Sequence, residues 1–62
     1  MLWLSEVLLQ SPEAESFEDL KDVITQRAAA GERFFRMDIK PPFSDTPPDW
    51  GDRLEAVFTA VR

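Results

Sequence analysis

Cysteine, histidine and tyrosine are absent from this 62-residue chain, and glycine occurs only twice. Without cysteine no disulfide can form, and without cysteine or histidine the usual ligands of structural zinc are missing. The same absences remove the imidazole that shuttles protons and the thiolate nucleophile, and two isolated glycines do not form a phosphate-binding loop. The sequence therefore predicts a protein that is not an enzyme and that binds no cofactor and no metal ion.

The length of the chain predicts one small domain, spanning residues 1–62. A chain this short buries only about 60% of the surface that its unfolded form exposes. Small domains are therefore usually reinforced by a disulfide, a metal or a partner subunit. Since the sequence excludes the first and disfavours the second, we expect self-association or docking on a partner protein to supply the reinforcement.

Acidic residues outnumber basic ones by twelve to seven, which gives a net charge of -5. Such a surface repels the phosphates of nucleic acids and anionic lipids, so direct nucleic-acid binding and membrane binding are disfavoured. No stretch reaches the roughly 20 apolar residues of a membrane span. The apolar first ten residues contain Glu6 and lack the basic leader of a signal peptide. We expect a cytoplasmic protein.

The first segment, from Leu2 to Gln10, fits two kinds of secondary structure. As a strand it has two largely apolar faces, which is typical of a strand covered on both sides. As a helix it gathers Ser5, Glu6 and Gln10 on one side, and its leucines favour that alternative. The stop at Ser11-Pro12 comes sooner than in most helices and favours the strand. If the segment is a helix, a three-helix domain with one added strand is expected.

The second segment has the signals of an amphipathic helix. Ser16 followed by Asp19 resembles a capping box, Gly31 suits a left-handed stop, and a start at Ser11-Pro12 would add a turn. The apolar stripe at helical spacing consists of Phe17, Leu20, Val23, Ile24 and Ala28.

A strand and a second helix are predicted for the rest of the chain. Residues 32–40 alternate, with Phe35, Met37 and Ile39 facing inward and Phe34, Arg36 and Asp38 facing outward, until Pro41-Pro42 ends the pattern. Thr46 can then cap a helix whose first residue is Pro47. The apolar stripe of that helix consists of Trp50, Leu54, Val57, Phe58 and Val61.

These elements predict a β-α-β-α order, a small α+β or α/β domain with a minimal two-stranded sheet and two amphipathic helices. A strand, a crossover helix and a second strand usually form a parallel, right-handed unit. Two strands leave at least one sheet edge bare. A homodimer that joins two such edges into a four-stranded sheet would cover the edge and reinforce the domain.

Two groups of residues are candidates for binding a partner. Carboxylates at helical spacing can imitate nucleic-acid phosphates and bind a basic, nucleic-acid-handling protein, although the same pattern is typical of solvated helix faces. Exposed aromatic and arginine residues are typical of binding hot spots, although lone aromatic residues also plug loops or pack on neighbours. The acidic candidates are Glu15, Glu18, Asp22, Asp45, Asp49, Asp52 and Glu55, and the others are Phe34, Arg36 and Phe43.

The leading functional hypothesis is a non-enzymatic acidic protein-interaction module. It would be a small inhibitor, antagonist or adaptor that binds a larger protein, of the type that phages and mobile elements carry. The alternative is a structural or self-assembling subunit of a larger complex, with no inhibitory role.

Overall fold

The computed structural model describes residues 1–61 and contains three helices and one two-stranded parallel sheet, a small α+β domain. Two short strands, β1 and β2, pair with Leu2 opposite Phe35 and Trp3 opposite Arg36. No helix in the described range is long and apolar enough to cross a bilayer. The elements in chain order are β1 (Leu2–Trp3), α1 (Leu4–Gln10), α2 (Phe17–Ala29), β2 (Phe35–Arg36) and α3 (Trp50–Ala60).

The first segment is divided between the two predicted structures, so the favoured reading as one strand was wrong for most of its length. Only Leu2–Trp3 is extended, and Leu4–Gln10 is helical. A carboxylate distant in sequence supports the start of this helix. Oδ1 of Asp38 accepts a hydrogen bond from the Ser5 N–H at 3.0 Å, so this backbone donor in the first turn has a partner. The observed order is therefore β-α-α-β-α, with one helix more than the predicted order.

Helix α2 has the predicted ends. Oγ of Ser16 accepts from the Asp19 N–H at 3.1 Å, and Oδ2 of Asp19 accepts from the Glu15 N–H at 3.0 Å. At the other end Gly31 has a φ of 111°, and the N–H groups of residues 31 and 32 donate to the carbonyls of residues 28 and 27. This is the Schellman arrangement. The alternative start of α2 at Ser11-Pro12 is not observed. Ser11 instead follows the last residue of α1.

Helix α3 begins three residues later than predicted, at Trp50. The physical reason is that Pro48 disfavours the helical conformation for Pro47, the residue before it. Thr46 does not cap the helix, and its hydroxyl instead donates to the Pro41 carbonyl at 3.3 Å.

The core lies between the helices and the inner face of the sheet. Phe35 of β2 stacks on Phe58 of α3, with ring centroids 5.3 Å apart. Ile39 was expected in the core but is 43% exposed, since the strand pairing ends at Arg36. Val61 is also exposed. The buried apolar residues are Leu2, Leu4, Val7, Phe17, Leu20, Ile24, Ala28, Leu54 and Phe58.

Candidate binding surface

One face of the small sheet carries exposed side chains, those of Trp3 and Arg36. Leu2 and Phe35 are register partners, and both turn toward the core. Side chains alternate along a strand, so the partners Trp3 and Arg36 turn outward. Continuing the register back by one residue places Met1 opposite Phe34 on the same side. These four residues, Met1, Trp3, Phe34 and Arg36, form what we term the open face.

The open face concentrates exposed apolar surface. Met1 is 60% exposed, Trp3 39% and Phe34 66%. The other large apolar residues that are exposed within residues 1–61 lie elsewhere, at Leu9, Ile39 and Val61. Parallel strands are usually covered on both faces. Within residues 1–61, the sheet therefore has one face that the rest of the domain leaves partly exposed.

Phe34 also borders two hollows beside the strand. One, of about 500 Å³, lies against the end of α2 and includes Gly31 and Val61 in its lining. The other, of about 210 Å³, lies between β2 and α3 and includes Met37 and Phe58. Phe34 and Arg33 line both hollows. An incoming side chain could thus contact Phe34 from either side.

Comparisons with models of protein families, with curated proteins and with solved structures found no match. Any function assigned to the open face therefore depends on its geometry and chemistry.

Two of the predicted partner-binding residues have roles inside the domain. Phe43 is half-buried and packs against the core. Oδ1 of Asp45 accepts a hydrogen bond from the Phe17 N–H at 2.8 Å, so the carboxylate caps the first turn of α2 from 28 residues away. Both residues hold the proline-rich loop against the domain. Their presence in the sequence is therefore explained by folding and does not require a partner protein.

The acidic residues predicted on the two helices are exposed, and several have local partners. Glu18 pairs with Lys21 at 2.8 Å, and Asp49 accepts from Arg53 at 2.8 Å. That hydrogen bond lowers the pKa of Asp49. Within residues 1–61, no group of three or more acidic side chains could hold a metal ion. Four of the six acids predicted on the helices have no ion-pair partner in the described range: Glu15, Asp22, Asp52 and Glu55.

The structure thus brings two of the predicted site residues, Phe34 and Arg36, to the open face, and a third, Glu55, lines one of the hollows beside Phe34. Sequence reasoning missed Met1 and Arg33 as their neighbours. The alternation of residues 32–40 indicates which side Phe34 faces, but the pairing of Leu2 with Phe35 places Met1 and Trp3 beside it. That pairing is a long-range contact with no signal in the local sequence.

Proposed function

We propose that this chain is a non-enzymatic protein-interaction module, a small inhibitor or adaptor, and that it binds a partner protein through the open face. The observation that carries the proposal is the sheet face on which Trp3 and Phe34 are exposed beside Arg36. Tryptophan and arginine are the residue types most enriched among interface hot spots.

The apolar area of the open face is large enough to matter for binding. An aromatic side chain offers roughly 150–250 Å². The exposed fractions of Phe34 and Trp3, 66% and 39%, therefore leave about 200 Å² in contact with water. Burying that area releases a gross free energy of about 5 kcal/mol, from which the costs of association are subtracted. These two side chains can thus anchor a small interface.

A capture experiment with matched variants tests the proposal. The protein carries an affinity tag at its C terminus, which leaves Met1 free, and is incubated with lysate of its source organism. We expect one partner protein to be retained by the wild type and lost with Phe34→Ser. Leu9→Ser removes an apolar side chain that is 81% exposed on α1 and is not part of the open face, and should retain the partner. Circular dichroism confirms that both variants are folded.

Different outcomes would point to other surfaces. If Phe34→Ser retains the partner while charge reversal at Asp52 and Glu55 loses it in a salt-dependent way, the acidic helices bind and the open-face proposal is wrong. If the bait retains only further copies of the same chain, self-assembly replaces the adaptor hypothesis.

A further inference from the structure

We infer that the open face binds an acidic segment of its partner, in which carboxylates alternate with apolar side chains. This inference rests on the proposed function, because it names the chemistry of the partner at the same surface. It reverses the expectation from net charge, which favours a basic partner for a chain of charge -5.

The charges around the open face are unlike those of the whole chain. Arg33, Arg36 and Lys40 are three of the seven basic residues, and all three are exposed within one short segment. The acidic residues of this segment have partners in the domain. Glu32 contacts the N-terminal amine at 3.6 Å, and the Asp38 carboxylate accepts from Ser5. The segment therefore presents cations that its own acids do not neutralise.

Two of these cations are available to a partner. Within residues 1–61, neither Arg33 nor Arg36 has a carboxylate at ion-pair distance. Arg36 stands opposite Trp3 in the register, and Arg33 lines the same hollows as Phe34. A guanidinium group pairs with a carboxylate through two parallel hydrogen bonds. The open face thus offers apolar anchors and carboxylate-binding groups side by side.

A second copy of the chain fits this surface less well. In a two-fold symmetric dimer the same patch meets itself, which would bring the arginines of both copies to one interface. A stable dimer also buries about 800 Å² on each partner, several times the exposed aromatic area of the open face. The size and the charge both favour a short segment of a different protein.

The partner segment must be locally acidic, because the domain as a whole repels acidic proteins. Exposed charges are screened beyond about 8 Å at physiological ionic strength. A carboxylate in contact with Arg36 is attracted at short range, while most acids of α2 and α3 act at longer distances. Glu55 of α3, which lines one of the hollows beside Phe34, is the exception. We therefore expect moderate salt to weaken binding only slightly.

Selection from a random peptide library displayed on phage tests the inference without knowledge of the partner. The wild-type domain is the bait, and peptides that bind the support without the domain are removed. We expect the enriched peptides to contain Asp or Glu next to aliphatic or aromatic residues. Affinities of the synthetic peptides are then measured by fluorescence anisotropy. Arg36→Glu should weaken binding about tenfold or more, as expected for loss of a charged anchor in a small interface.

The control is Arg53→Glu, which makes the same charge change on α3 and breaks only an exposed ion pair with Asp49. It should leave peptide affinity within about twofold. If enriched peptides lose binding with Phe34→Ser but keep it with Arg36→Glu, the proposed function stands and the acidic partner is wrong. Enrichment of basic peptides whose affinity changes with neither variant would overturn both the proposed function and the inference of an acidic partner. The inference is also overturned if no peptide is enriched, or if sedimentation shows a dimer that Phe34→Ser dissociates.

Discussion

Asp45 holds the proline-rich loop against α2, and its replacement by alanine should destabilise the domain measurably. Asp45 accepts a hydrogen bond from the Phe17 N–H. This N–H is one of the four at the start of a helix that have no partner within the helix. Ser16 cannot replace it, because its hydroxyl already accepts from Asp19. Phe17 is only 2% exposed, so water has little access to the N–H that Asp45→Ala would leave free.

The size of the effect follows from that burial. A buried donor left without a partner costs about 1–3 kcal/mol, and we expect about 2 kcal/mol for Asp45→Ala. A domain of this length has a free energy of unfolding of roughly 3–9 kcal/mol. In such small domains 1 kcal/mol shifts the melting temperature by about 4–8 °C. Asp45→Ala should therefore lower the melting temperature by roughly 8–16 °C.

Thermal denaturation followed by circular dichroism measures this effect. Asp52→Ala is the matched control, since Asp52 is exposed and has no ion-pair partner within residues 1–61. It should change stability by less than about 0.5 kcal/mol. Equal melting temperatures for the two variants would refute the capping role of Asp45. Asp45 would then again be a candidate for partner binding.

Local signals in the sequence were sufficient to predict α2 and both of its ends. The Ser16–Asp19 pair, the apolar stripe and Gly31 each act within a few residues, and the structure confirms all three. The first segment could not be settled in the same way, because a short, mostly apolar segment of nine residues fits both a strand and a helix. The carboxylate that helps α1 begin lies 33 residues further along the chain. The missed helix thus depends on a tertiary contact.

The candidate site was predictable only in part. The outward position of Phe34 and Arg36 follows from alternation along the strand, and the structure has both exposed. The inward packing of Phe43 and the capping by Asp45 depend on how the loop folds back on α2, which no local pattern encodes. The same holds for the pairing that brings Met1 and Trp3 to the open face.

Two further predictions concern backbone conformation and acid stability. Gly31→Ala should destabilise the domain by about 1–2 kcal/mol in urea denaturation, because its φ of 111° disfavours any side chain although nothing lies within 4 Å of the added Cβ. Gly51→Ala, inside α3 and in ordinary contact with Met37, should instead be neutral or stabilising. The hydrogen bonds from Ser5 lower the pKa of Asp38 below its ordinary 3.8. A lowered folded-state pKa stabilises the fold above the unfolded pKa, and this contribution is lost as the pH falls through the folded value. The stability advantage of the wild type over Asp38→Asn, which keeps an acceptor but no charge, should therefore be full at neutral pH, begin to fall near pH 3.8 and vanish once the pH is below the lowered folded-state pKa. An advantage that is unchanged in acid would show that the Asp38 charge does not stabilise α1.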